Sequence, residues 1–147
     1  MATVSAGTAA FVGFQQWRLA KRKLDFDLFE KRFAVYEAVR DLIREASQKQ
    51  GWPEETDREF QRQLEVSKFL FPRDIPDWLD QLRRTVLELA EASEAVADTP
   101  REDPARAGYY QTKQDGLRYL REQYPRLAEH FAKHMTIVTP PYKASRK

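Results

Sequence analysis

The chain has 147 residues, of which 41% are hydrophobic and 33% are charged, and its formal net charge is +2. This length supports one domain with a single core, and the composition is that of a globular chain rather than a disordered one. The absence of cysteine excludes disulfide scaffolds, thiol nucleophiles, iron–sulfur clusters and cysteine-ligated zinc sites.

Residues 1–17 form an uncharged N-terminal segment, MATVSAGTAAFVGFQQW. The segment is too short and too poor in large apolar side chains for the ~20 apolar residues that span a bilayer. It also lacks the basic start of a secretory signal. An aromatic residue, Trp17, is followed at once by a basic cluster, an order that resembles the exit of a helix from a bilayer. Two interpretations stay open: a remnant of a membrane anchor or an interfacial helix, or the first turns of a long soluble helix.

The same region supplies the predicted contacts with a membrane or a partner. Aromatic rings come first, and four cations follow within six residues. Each cation close to an anionic leaflet contributes about 1 kcal/mol, so the four together could hold a weak anchor in place. The predicted contact residues are Phe11, Phe14, Trp17, Arg18, Lys21, Arg22 and Lys23.

A long first helix is predicted from Thr8 to Gln50, where only Gly13 disfavours helix. On a helical wheel a set of apolar side chains falls on one broad half, so the helix is amphipathic. They are Leu24, Leu28, Phe29, Phe33, Val35, Tyr36, Val39, Leu42, Ile43 and Ala46. Arg32 and Asp25 lie within this apolar half. Their position predicts either a partly buried pair or a face shared between two neighbouring helices.

Three further helices are predicted. Gly51 and Pro53 end the first helix, and the capping-box pattern TDRE, residues 56–59, predicts the start of the second. Asp74 is the predicted cap of the third. Apolar residues of the third helix alternate in spacings of four and three, which is typical of a seam between packed helices. They are Ile75, Leu79, Leu82, Val86, Leu89, Ser93 and Val96.

The fourth helix is predicted from about Ala107, with a kink or a break at Tyr124 because Pro125 follows. These elements predict an all-α antiparallel four-helix bundle over residues 18–136, followed by an extended basic tail, residues 137–147. A first helix of ~40 residues would reach ~60 Å, well beyond the others. We expect its uncharged tip to need a membrane, a second copy or another protein.

Three stretches of the sequence resemble a large group of uncharacterised bacterial helical proteins. KLDFDLFEKRFAVYEAV is similar to that group's motif, roughly K-L-x-L-D-L-F-[DE]-[KR]-R-[FY]-x-V-[YF], which commonly follows an N-terminal membrane segment. FLFPRDIPDWLDQLRRTVLEL and QYPRLAEHFAKHM resemble its later blocks. The matching motif positions are Asp27, Arg32, Phe33 and Tyr36, whereas Phe26 replaces the usual leucine. The resemblance implies a helical domain with a membrane-proximal first helix and implies no known activity.

Catalytic and metal chemistry find little support in the sequence. His130 and His134 share a helix face but are too few to bind a metal ion without a third ligand, and Lys133 would repel a cation. No phosphate-binding or nucleophile motif is present. For Tyr109 and Tyr110 we expect one ring to point inward and one outward on an ordinary charged helix.

The sequence therefore favours a non-enzymatic helical interaction module without a cofactor or an evident small-molecule substrate. It would be membrane-proximal or would self-associate through the first helix as a coiled coil. We expect a cytoplasmic protein or one at the cytoplasmic face of the inner membrane. The alternative is a nucleic-acid-binding or regulatory helical protein that uses its basic ends, although interspersed acidic residues argue against a continuous phosphate-binding stripe.

Overall fold

The computed structural model describes the backbone of residues 4–135 and the side chains from residue 12 onward. Four helices occupy this range: α1 (Val4–Lys49), α2 (Glu54–Leu70), α3 (Asp74–Asp98) and α4 (Ala105–Ala132), and the described residues contain no strand. The predicted all-α antiparallel bundle is confirmed. The predicted tail, residues 137–147, lies outside the described residues.

The four helices form a ring in which α1 packs against α2 and α4, and α3 packs against the same two helices. A single apolar core fills the centre. The alternating row on α3 is confirmed by burial, with one difference: Ala92 is buried, whereas Ser93 is only half-buried. The largest fully buried side chains are Phe60, Phe131, Ile43, Ile75, Leu79, Leu82, Leu89, Leu120 and Leu127.

The two predicted helix caps are wrong. Helix α2 begins at Glu54, before the predicted capping box, and the Thr56 hydroxyl lies 3.4 Å from Oε1 of Glu45 instead of capping the backbone. The backbone of Pro53, just before the helix, is extended. The acidic residues of the first turn stabilise the helix because its N-terminus carries partial positive charge. Helix α3 likewise has no side-chain cap, because the Asp74 carboxylate is hydrogen-bonded elsewhere.

Of the kink or break predicted at Tyr124, the break is wrong, because α4 runs without interruption through Pro125. A proline inside a helix removes one backbone hydrogen bond and costs about 3 kcal/mol. Leu120 and Leu127, on either side of the proline, are fully buried, so packing on both flanking turns offsets this cost. Pro125 itself is exposed, which keeps its ring away from the core.

The turn between α1 and α2 combines positive φ angles with a close approach to α3. Gln50 and Gly51 both have positive φ, at 59° and 134°, and Gly51 lies against Ala90 of α3. A Cβ at position 51 would be 2.7 Å from the Cβ of Ala90. The predicted end of the first helix at this glycine is therefore confirmed, and the reason is both conformational and steric.

Helix α1 is far longer than its neighbours. Its 46 residues correspond to about 69 Å, against about 38 Å for the 25 residues of α3. Among the described side chains of α1, burial begins at Val35. The N-terminal half of α1 therefore projects beyond the bundle, as the sequence predicted.

Candidate association surface on the first helix

We refer to residues 12–31 of α1 as the projecting segment. Its C-terminal boundary is set by Arg32, whose side chain is bonded to the ends of two other helices. At 1.5 Å per residue the segment is about 30 Å long. Several large apolar side chains on it are exposed to solvent, each by 52% or more of its surface: Val12, Phe14, Trp17, Leu19, Leu24 and Phe26.

One row of apolar side chains continues the line of the bundle core. At 100° per residue, Phe14, Trp17, Leu24 and Leu28 fall on the same side of α1 as the buried Val35. We call this the inner row. Lys21 interrupts it. The row shows that the pattern which buries α1 in the bundle extends toward the N-terminus past the point where α2, α3 and α4 can cover it.

A second row lies roughly 160° around the helix from the first. Val12, Leu19, Phe26 and Phe33 recur at intervals of seven residues, and all four are exposed, Phe33 least at 39%. We call this the outer row. The sequence analysis missed this row and was wrong to place Phe33 on the same half as the buried Val35, although the seven-residue spacing was visible in the sequence.

Four of the predicted contact residues, Phe14, Trp17, Arg18 and Lys21, form one local cluster. The rings of Phe14 and Trp17 stack with centroids 6.1 Å apart. The guanidinium of Arg18 lies 5.9 Å from the centroid of Phe14, and the ammonium of Lys21 lies 5.5 Å from that of Trp17. Exposed cation–π contacts of this kind contribute about 0.5–1 kcal/mol each. Phe11 lies within α1, but its side chain is outside the described residues.

Apart from Lys31 at its C-terminal end, the charges of the projecting segment are separated into two blocks. Four cations lie between residues 18 and 23, and three acids lie between residues 25 and 30. Among the side chains that the structure describes, none of these seven takes part in an ion pair. The basic block is Arg18, Lys21, Arg22 and Lys23, and the acidic block is Asp25, Asp27 and Glu30.

Arg32 attaches α1 to the C-terminal ends of α2 and α4. Its Nε donates to the carbonyl oxygen of Leu70 at 2.8 Å, and Nη1 donates to that of His134 at 2.6 Å. The guanidinium also lies 5.5 Å from the ring centroid of Phe71. Carbonyls at helix C-termini carry partial negative charge and lack helical partners, so a cation is favoured there. Of the two expectations for Arg32, the pair with Asp25 is not formed, and the face is shared between neighbouring helices.

The other motif positions have different environments. Phe33 stacks against Phe29 at 6.0 Å and lies 5.7 Å from Tyr36. Tyr36 is half-buried and meets Phe131 of α4 edge-on at 5.6 Å. Asp27 is half-exposed on the projecting segment. The motif thus spans the boundary between the bundle and its projection.

The two histidines pack within the bundle end instead of forming a pair. His130 stacks on Trp78 with centroids 4.5 Å apart, and His134 Nε2 lies 2.9 Å from Oδ2 of Asp74. Burial lowers the pKa of His130, and the charge of Lys133 lowers it further. The hydrogen bond from His134 lowers the pKa of the Asp74 carboxyl. Over the described residues, no group of three or more potential ligands is placed to hold a metal ion.

The expectation for the tyrosine pair is wrong. Tyr109 and Tyr110 are both exposed, by 42% and 53%. Nearby Arg118 is ion-paired with Asp115. Gln123, which the sequence analysis did not single out, is buried and accepts a hydrogen bond from Trp78 Nε1 at 3.1 Å.

Comparison of the chain with family models, with curated proteins and with solved structures finds no match. A search of the described helices for a stretch apolar and long enough to cross a bilayer is also negative.

Proposed function

We propose that the protein is a non-enzymatic helical association module whose projecting segment packs against other helices. The observation that carries this proposal is the exposure of the segment's apolar side chains, among them Trp17 at 59% and Leu24 at 67%. Isolated exposed apolar residues are ordinary, but a contiguous set on one element indicates an interaction surface.

The two-sided arrangement of these side chains favours helices as the partner. A helix lying in a membrane interface has one apolar face and one polar face. The projecting segment instead has an inner row and an outer row on nearly opposite sides. Its outer row repeats once per heptad and so supplies one of the two apolar positions of a coiled-coil seam. A helix with two such rows is suited to contact with neighbouring helices along its length.

A membrane surface is the second candidate. It is supported by the stacked pair Phe14 and Trp17 beside Arg18 and Lys21, since aromatic rings flanked by cations suit the interface of an anionic leaflet. In this arrangement the basic block would contact lipid headgroups, and the protein would lie on the membrane without crossing it.

Sedimentation velocity over a concentration series and co-sedimentation with liposomes, with and without anionic lipid, test the proposal. The variant W17S/L24S/F26S removes apolar surface, and Q15S/Q16S/A20S is a control that changes exposed positions of the same segment. We expect the full chain to form a larger species that the first variant weakens and the control does not. A full chain that stays monomeric and ignores both kinds of liposome would contradict the proposal.

A further inference from the structure

We propose that the partner of the projecting segment is a second copy of this chain, bound antiparallel along the outer row with a two-fold axis at the level of residue 24. This inference rests on the association function proposed above and adds the identity and the direction of the partner.

Charge complementarity selects both. The basic block, residues 18–23, is followed directly by the acidic block, residues 25–30, and the boundary between them is at Leu24. An antiparallel pair centred there places Arg18, Arg22 and Lys23 of each copy level with the acidic block of the other, whereas Lys21 lies on the inner side. A parallel pair would place cations beside cations and acids beside acids, which is destabilising. Two-fold symmetry makes the contact self-complementary, so a single sequence supplies both sides of it.

The charges are available for such a contact. Lys21 and Asp25, like Lys23 and Asp27, are four residues apart and could pair within α1, yet neither pair forms in the structure. In both pairs the cation is N-terminal to its acid, which is the weaker orientation within a helix. Pairing between two copies does not depend on the order of cation and acid along a single helix.

Steric access selects the outer row. In an antiparallel pair centred at Leu24, residue 16 of one copy lies level with Arg32 of the other, where α2 and α4 end. On the inner side, the N-terminal turns of the second copy would run into those helix ends. On the outer side they can continue past Phe33, which is still 39% exposed beside the bundle. The overlap from Val12 to Phe33 covers about three heptads.

Distances between spin labels test the direction of pairing. The chain has no cysteine, so Gln16→Cys and Ala20→Cys each provide a single labelling site at an exposed position. In the antiparallel pair, the separation along the helix axis is about 24 Å for labels at position 16 and about 12 Å for labels at position 20. A parallel pair in register has no separation along the axis at either position, so position 16 would not give the longer distance. That result would overturn the inference while leaving helix association intact.

Charge exchange tests complementarity independently. We expect R18E/K21E/R22E/K23E and D25K/D27K/E30K each to weaken self-association at least about tenfold, because each leaves like charges opposed. Combining all seven substitutions restores complementarity and should return the affinity to within about threefold of the original. Far-ultraviolet circular dichroism checks that each variant stays folded.

Three outcomes separate the two proposals. A combined variant as weak as the single-block variants overturns the antiparallel pairing. A chain that is monomeric but binds anionic liposomes overturns it as well and supports the membrane surface as the partner. A chain that neither self-associates nor binds liposomes would contradict the proposed association function itself, on which the inference rests.

Discussion

Replacing Arg32 with methionine should destabilise the bundle by about 2–3 kcal/mol. Two hydrogen bonds to carbonyl oxygens, at 2.8 and 2.6 Å, would be lost. Hydrogen bonds with a charged partner contribute about 1.5–3 kcal/mol each when buried, and we take about 1 kcal/mol each here because the side chain is half-exposed and water can replace it. The contact with Phe71 adds about 0.5–1 kcal/mol. Methionine keeps the apolar stem, so the loss reports on the guanidinium.

Urea unfolding followed by circular dichroism measures this change as a lower midpoint at constant slope. Arg126→Met is the matched control, because the same chemical change is made at an exposed position of α4 and should shift stability by less than about 0.5 kcal/mol. The stability of Arg32→Lys should fall between those of the two methionine variants, because an ammonium lacks the rigid fork that reaches both carbonyls. Equal stability of Arg32→Met and Arg126→Met would refute the reasoning. Full stability of Arg32→Lys would show that charge alone matters.

Three further changes test the fold. Gly51→Ala should lower the free energy of unfolding by about 2–4 kcal/mol, since φ is 134° and a Cβ would lie 2.7 Å from an α3 side chain. Gly108→Ala, with open space around it, should instead stabilise α4 by about 0.5–1 kcal/mol. The reverse order of stability in urea unfolding would contradict this. Asp57→Asn should lower stability by about 1 kcal/mol, because the half-buried Arg83 loses a carboxylate that binds both Nε and Nη2; an unchanged thermal midpoint would argue against it. The pKa of His130 is lower in the folded chain than in the unfolded chain, so the unfolded chain takes up the proton more readily as the pH falls. The free energy of unfolding should therefore decrease below about pH 6.5. A stability–pH curve that His130→Asn leaves unchanged would exclude this histidine as the cause.

Helix number, the α3 row and the long α1 could be read from the sequence because they depend on periodic burial. The apolar residues of α3 repeat at four and three over its whole length, and such a pattern has few alternative interpretations. Helix starts could not be read in the same way. Thr56 and Asp74 are good caps by composition, but each side chain is bonded to a residue distant in sequence, Glu45 or His134. Tertiary contacts decided those two positions.

The candidate surface was predicted in part for a similar reason. Trp17, the basic block and their order along the chain are all visible in the sequence itself. The role of Arg32 cannot be read from the sequence, because its partners are the backbone carbonyls of Leu70 and His134. Any residue type can supply a carbonyl at a helix end, so no sequence pattern marks it. The wheel placed Arg32 correctly in the apolar half but offered Asp25 as the only chemical partner within reach.

Arg32 also explains how the projecting segment can be helical beyond its own bundle. An isolated helix of this length is marginal in water, because its first turn must be formed without support. Here the turns from Val35 onward are fixed by burial, and Arg32 holds the next turn against two helix ends. Helix can therefore propagate toward the N-terminus from a structure already in place, at one hydrogen bond per residue. The same attachment fixes the direction in which the projecting segment leaves the bundle, so the two charge blocks and the outer row are presented to a partner along a defined line.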